Sequence, residues 1–381
     1  MNKIKILLFI DWFLPGTKSG GPVRSYANLI SHFKDDYDFY VITRNTDYTS
    51  TEIYSEIISN EWNTLSENLF VYYLSNNNLS LKGFRNALKT IDYDSVLING
   101  IYSYKFSILP LLLLSKSKIQ ITVSPRGMLS PQAFSTKSFR KKLFLKFARL
   151  INLYNNIIFH ATNEFESQFI KNILGSNTNV KVAPNLPRNV EIIDYTEPKK
   201  QSPVRFVNVA RISKEKGTLT LLRALKDVLF PVSIDLFGTV YNPGYWEECK
   251  SIINSLPNHI TVNYKGELVS EKVIPTIANY DYFVLLSEGE NFGHSILEAL
   301  SVGLPVIISN MTPWTNLENR KVGWDIDQNN HDQVVTTFHR AINMPNNEYQ
   351  VWSNSAIGYS KEIISDEKLL KMNRKLLDFQ L

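Results

Sequence analysis

An alternation that runs through the chain twice constrains its fold more than any other feature. Short apolar, β-branched runs alternate with stretches of helical spacing from the start: KIKILLFI, then VRSYANLISHF, then DFYVIT, and later SVLING, KIQITVSP and NIIFHAT. Such alternation predicts βα units around a parallel sheet. Between Ala183 and Pro203 the rhythm breaks, with Pro184, Pro187, Pro198 and Pro203 among mixed charges, a composition suited to an interdomain linker. It then restarts with VRFVNVA, GTLTLLRALKDV, VSIDLFG, YWEECKSIINSL, ITVNYKG, DYFVLL, HSILEALSVG and PVIIS. With 381 residues the chain exceeds one ordinary core. The expectation is an α/β fold of two Rossmann-like, doubly wound domains facing each other across a cleft. The predicted divisions are a first domain at 1–185, a linker at 186–203, a second domain at 204–355, and a helical segment at 356–381 that crosses back to the first domain.

Composition excludes several classes. A content of 44% hydrophobic and 20% charged residues is that of an ordinary globular protein, which argues against disorder. The single cysteine, Cys249, has no partner for an intrachain disulfide or a cysteine-rich zinc site, and fits a reducing compartment. The run Ile4–Ile10 ends at Asp11 and Trp12 without a cleavage site and reads as a buried strand rather than a signal core. Phe106–Leu114 falls short of the roughly 20 apolar residues a membrane span needs. The expected location is cytoplasmic, or peripheral on the cytoplasmic face of the inner membrane. A net charge of +5, spread along the chain, gives no reason to expect nucleic acid. One segment is locally basic: Lys137, Arg140, Lys141, Lys142, Lys146 and Arg149 interleave with Phe139, Leu143, Phe144, Phe147 and Leu150 at helical spacing. Two readings are open for 137–150, a helix packed on its domain with a solvated basic face, or docking on an anionic membrane surface.

Three loops carry candidate chemistry. In GTKSGGPVRSYANLI, Gly20 and Gly21 precede a helix opened by Pro22, so backbone can approach a phosphate closely where helix amides lack partners. In NVARISKEKGTLTLL, Arg211 and Lys216 flank a strand-to-helix turn and can converge on one diphosphate, the first as a planar fork and the second as a point charge. In LLSEGENFGHSILEALSVGLPVIIS, Glu290 lies just before a helix and Glu298 inside it, eight residues on. Carboxylates suit vicinal hydroxyls because each offers two acceptor oxygens.

Together these loops resemble the retaining GT-B glycosyltransferases of family four, the group 1 glycosyl transferases, and the resemblance covers most of the chain. Glu290 and Glu298 match that family's E-x(7)-E motif. The match implies that Glu290 meets the transferred sugar, Glu298 the nucleotide ribose, and the backbone near Asn291, Phe292 and Gly293 the sugar and phosphate. Arg211 and Lys216 match its R-x(4)-K, implying neutralisation of the donor diphosphate, and Gly20 and Gly21 match its N-terminal glycine loop. Gly238, closing the strand VSIDLFG, joins the donor-binding candidates, and Arg126 joins Glu290, Arg211 and Lys216 as a candidate catalytic residue. SPRGMLSPQAF (Ser124–Phe134), HATNEFE (His160–Glu166) and TPWTNLENRKVGW (Thr312–Trp324) resemble a bacterial branch that builds surface polysaccharides such as O-antigen, capsule or lipopolysaccharide. Many members carry a histidine after the fourth strand of the first domain. Here Asn99-Gly100 and Arg126-Gly127 occupy the two candidate loops, so no catalytic histidine is assigned, and His160 reads equally as a hydrogen-bonded core residue.

The implied reaction moves a sugar, with retention, from a nucleotide-diphosphate sugar to a glycan or lipid-linked oligosaccharide, and needs no cofactor. No DxD motif stands in a plausible donor loop, in keeping with a metal-independent mechanism in which Arg211 and Lys216 stabilise the leaving diphosphate. The alternatives are a nucleotide-sugar 2-epimerase of the same architecture, or a non-catalytic nucleotide-sugar-binding protein, which would be free to lose Glu290.

Overall fold

The computed structural model describes residues 3–130, 138–188 and 202–378. The chain divides into two compact units, Met1–Asn189 with Glu367–Leu381, and Val190–Asp366. Most of the expected linker, residues 189–201, lies outside the described residues, as do Lys137 and residues 131–134 of the SPRGMLSPQAF motif.

The first unit is built on an eight-stranded sheet. Its strands are β1 (Ile4–Phe9), β2 (Tyr37–Arg44), β3 (Trp62–Ser66), β4 (Leu69–Leu74), β5 (Ser95–Asn99), β6 (Gln120–Ser124), β7 (Ile157–Ala161) and β8 (Val180–Val182), in the order β3-β4-β2-β1-β5-β6-β7-β8. Every neighbouring pair is parallel except β3 with β4. From Ile6 onward β1 is an unbroken apolar run because both of its faces are covered. Ile6 and Leu8 pack with Val23, Tyr26 and Ile30 of helix α1 (Gly21–Phe33), while Leu7 and Phe9 pack on the other side with Phe84 and Phe106. The order reverses between β1 and β5, so the loops leaving these two strands diverge to opposite faces and open a crevice at their carboxyl ends. The final helix of the chain, Glu367–Leu377, belongs to this unit. Leu377 is fully buried in the α1 side of the core, and Asn373 Nδ2 donates to Pro184 O at 2.8 Å.

The second unit has a six-stranded, all-parallel sheet ordered β11-β10-β9-β12-β13-β14. The strands are β9 (Val204–Val209), β10 (Val232–Phe237), β11 (Ile260–Tyr264), β12 (Tyr282–Leu285), β13 (Val306–Ser309) and β14 (Gly323–Ile326). Phe206 and Val284 point into one core layer, Val207, Phe283 and Leu285 into the other. Here the strand order reverses between β9 and β12. The helix Asn346–Ile364 runs unbroken across position 355, with Trp352 and Ala356 buried in this unit, which continues to Asp366.

Among the described residues, no helix is long and apolar enough to cross a membrane.

Candidate functional site

In the second unit the two loops at the reversal point are those leaving β9 and β12, and they carry Arg211, Lys216, Glu290, Asn291, Phe292 and Gly293. Gly217 locks the loops together. It adopts φ 69°, and a β-carbon there would sit 1.7 Å from the carbonyl oxygen of Leu286, so the chain after Lys216 lies flush against the end of β12. A second tie is the hydrogen bond from Glu288 N to Glu215 O, 2.9 Å. These contacts bring Lys216 Nζ to 2.6 Å from Glu290 Oε1, with the two side chains only 19% and 11% exposed. The pair is a short, charge-assisted hydrogen bond largely withdrawn from water. Glu290 N also donates to Met311 O at 3.2 Å, tethering the acidic loop to the loop after β13.

Arg211 takes a different partner. Its NH2 lies 3.3 Å from Glu215 Oε1, and its guanidinium carbon is 5.2 Å from the centre of the Tyr241 ring. The two cations of the R-x(4)-K motif therefore rest on separate carboxylates, with the motif's first glutamate on Lys216. Gly238 supports Arg211 from behind. At φ 145° its missing β-carbon leaves room for Ala210 O, 1.9 Å from where that carbon would be, so its evident task is to seat the β9 loop.

Helix α9 (His294–Ser301) starts at Gly293, φ 79°, where a β-carbon would lie 2.7 Å from Ile296 Cδ1. Phe292 is fixed before it. The indole N–H of Trp314 donates to Phe292 O, and the Phe292 ring lies 5.8 Å from Trp314 and 4.8 Å from His294. Glu298 sits within α9 and is 6% exposed. Its carboxylate offers two acceptor oxygens on the helix that begins at this loop.

In the first unit, Gly20 has φ 79° and ψ −128° and forms the N-cap of α1, and a β-carbon at Gly20 or Gly21 would meet nothing within 4 Å. Arg126 follows β6 in the left-handed region, φ 54°. Glu166, 4% exposed, holds that turn by accepting from Gly127 N (2.6 Å), Thr162 N (2.8 Å) and Thr162 Oγ1 (2.7 Å). The Arg126 guanidinium donates to Asn185 Oδ1 and lies 4.5 Å over the Tyr26 ring, while its Nε is buried with no hydrogen-bond partner among the described residues. His160 is a core residue. Its Nε2 meets the carbonyl of Ala183 at 2.7 Å, which can only accept, so the proton is on Nε2 and Nδ1 accepts from Ser124 Oγ at 2.8 Å, which in turn accepts from Tyr26 OH at 3.1 Å. Burial, reinforced by Arg126, pushes the imidazole pKa down to about 3, so it is neutral at physiological pH. A small cavity bordered by Tyr26, Ser124, Arg126, His160 and Asn185 lies beside this chain.

Sequence reasoning missed a cluster at the first unit's reversal point. Asp11, just beyond β1, accepts from Ser103 Oγ at 2.9 Å across the β1/β5 crevice and pairs with Arg44 at 3.4 Å. Burial raises its carboxyl pKa against the opposing effects of Ser103 and Arg44. Arg44 lies over Phe106 and Trp12, and Trp12 meets Tyr48 edge to face at 4.8 Å. The available signal was an acid and a tryptophan placed directly after an apolar strand. Glu166 and Trp314 were also missed as supports, although both lie in quoted motifs.

Residues 190–358 match the family model for glycosyl transferases group 1. The matched span lies within the second unit, Val190–Asp366. Over 101 residues the chain is 34% identical to the sulfoquinovosyl transferase SQD2 of Arabidopsis thaliana, a match spanning 26% of this chain and 18% of that protein. Among solved structures it is similar to sucrose-phosphate synthase from Thermosynechococcus elongatus, at a TM-score of 0.70, 14% identity, and coverage of 99% of this chain and 98% of that one. It is also similar to Anabaena Alr3699/HepE in complex with UDP and glucose, at a TM-score of 0.69, 17% identity and 98% coverage of both chains. The fold is thus that of GT-B glycosyltransferases, with two Rossmann-like parallel-sheet domains.

Proposed function

We propose that this protein is a retaining glycosyltransferase that moves a sugar from a nucleotide-diphosphate sugar to a glycan or lipid-linked oligosaccharide in bacterial surface-polysaccharide synthesis. One observation carries the reading. A group 1 glycosyl transferase unit has its motif lysine paired with its motif glutamate at 2.6 Å, at the sheet's reversal point, ahead of a helix that holds a second, buried glutamate.

Cleaving the anomeric C–O bond places negative charge on the leaving diphosphate. Lys216 and Arg211 supply fixed positive charge for it, in loops already braced by Gly217 and Gly238, so little reorganisation accompanies the reaction. Glu290 takes hydroxyls of the transferred sugar, and its bond to Lys216 is shared or exchanged when the diphosphate arrives. Glu298 takes the ribose. The backbone at Asn291–Gly293 faces the sugar and phosphate, and Gly20 and Gly21, where a β-carbon would meet nothing within 4 Å, are the first unit's candidate donor-binding residues. Arg126, positioned by Asn185 and the Tyr26 ring, contacts the donor or the acceptor phosphate. The charge is met by arginine and lysine, so the proposed mechanism is metal-independent.

The test is a transfer assay with a panel of nucleotide sugars and glycolipid acceptors, with the anomeric configuration of the product read by NMR. Acceptor-dependent formation of a retained linkage is expected. Epimerised donor released without acceptor would replace the transferase reading with the epimerase one, and donor binding with no turnover on any acceptor would replace it with the binding protein.

A further inference from the structure

Helix α4 (Ser138–Leu150), sequence SFRKKLFLKFARL, carries two apolar faces, and the first unit's core uses only one of them. Leu145 and Ala148 are buried in that core, and Phe144 packs on it with its ring 5.7 Å from Tyr102. The inner face is completed by Lys141, whose ammonium lies 5.4 Å over the same tyrosine ring. On the outer face, Phe139, Leu143, Phe147 and Leu150 are 76%, 58%, 57% and 79% exposed, and Ile151 follows at 40%. Spacings of four, four and three residues place these four side chains within an arc of roughly 80° at about 100° per residue, a continuous stripe rather than scattered exposure. Singly exposed apolar side chains are unremarkable, whereas a contiguous exposed stripe marks an interaction surface.

Charge identifies what the stripe meets. By the same spacing, Lys142 and Lys146 line one edge of the stripe and Arg140 the other, with Arg149 beyond the first edge donating to Ile173 O, and the helix contains five cations and no carboxylate. Laying the stripe against a second copy of itself would bring two such cation rows together without counter-charge. An apolar strip bordered by long basic side chains instead matches the boundary of an anionic bilayer, with the rings and leucines among the acyl chains and the cations at the phosphates. We propose that α4 docks this protein on an anionic lipid surface through Phe139, Leu143, Phe147 and Leu150. The inference stands apart from the choice of sugar and acceptor, since it rests on the helix alone.

Flotation of the full-length chain with vesicles tests it, comparing pure phosphatidylcholine with one part phosphatidylglycerol in two of phosphatidylcholine. Binding is expected to the anionic vesicles and to weaken with salt. Each cation at such a surface is worth roughly fivefold in partitioning, so Lys142→Glu with Lys146→Glu lowers it by about 25-fold or more. Leu143→Ser with Phe147→Ser lowers it by roughly tenfold or more through lost apolar insertion. Both pairs keep Leu145 and Ala148, and an unchanged unfolding midpoint confirms that the fold is intact. Failure of the wild-type protein to float with anionic vesicles at low salt would overturn the proposal. So would a dimer, seen by sedimentation, that Leu143→Ser with Phe147→Ser dissolves, since the stripe would then be an interface between copies.

Discussion

The Lys216–Glu290 pair separates a structural role from a functional one in a single mutant cycle. Lys216→Met leaves a carboxylate that is 11% exposed without its cation, and Glu290→Gln leaves an ammonium that is 19% exposed without its anion. Breaking an exposed pair costs less than about 1 kcal/mol and breaking a deeply buried one about 3–5, so a cost of about 2 kcal/mol is expected for each single change. In a unit of this size that corresponds to a fall in Tm of roughly 4–8 °C. The double variant leaves no uncompensated charge, and should recover at least half of the loss. Donor binding should behave differently. A lysine on a diphosphate contributes about 1.5–3 kcal/mol, so Lys216→Met should weaken donor binding by roughly 10- to 100-fold, and the double variant should not regain it. Thermal unfolding and calorimetric titration with the cognate nucleotide sugar measure both quantities. A Kd within twofold of wild type for Lys216→Met, or a double variant no more stable than the singles, would refute the reasoning.

Three further outcomes follow from the geometry. Gly217→Ala combines φ 69° with a β-carbon 1.7 Å from Leu286 O, and should cost about 3 kcal/mol or more in urea unfolding; a change below about 0.5 kcal/mol would show that the loops are not held flush. Glu166→Ala orphans the three donors on Gly127 and Thr162, with an expected loss of about 3–5 kcal/mol, and transfer should fall even where the protein remains folded; unaltered transfer would detach the Arg126 turn from the reaction. His160 binds its proton far more weakly when folded (pKa about 3) than its ordinary value of 6.5, so the stabilisation is complete above the unfolded pKa and is lost as pH falls toward the folded one. Between pH 7 and pH 5 the wild type should lose about 2 kcal/mol more than His160→Gln, and equal losses would mean that His160 is not buried in its neutral form.

What was legible in the sequence is what local pattern encodes. Strands such as β1, from Ile6 to Phe9, and β12 announce themselves because both faces are buried and these residues are apolar or aromatic, and the glycines at 217 and 293 mark turns at the starts of helices. The three-residue strand β8, VKV, and strand β14, whose GWDI mixes a glycine and an aspartate with its apolar residues, carry too little apolar pattern to be seen. The site's long-range partners were not legible either. Asp11 meets Ser103 across 92 positions and Glu166 meets Gly127 across 39, contacts set by strand order and register rather than by neighbouring residues. Spacing placed Arg211 and Lys216 on one loop correctly, but whether they share an anion depends on Glu215 and Glu290, whose side-chain directions spacing does not fix. The amphipathic helix was visible from its spacing, and only burial distinguished its two apolar faces.

The most direct test is nucleotide-sugar binding by thermal shift across a panel of bases and sugars, with Arg211→Ala and Glu298→Ala beside the wild type. A donor that stabilises the wild type and has its effect abolished by both substitutions is the result expected of a site built from the β9 loop and α9. A panel in which no nucleotide sugar stabilises the protein, or one whose effect survives both substitutions, would contradict the assignment of donor binding to these residues.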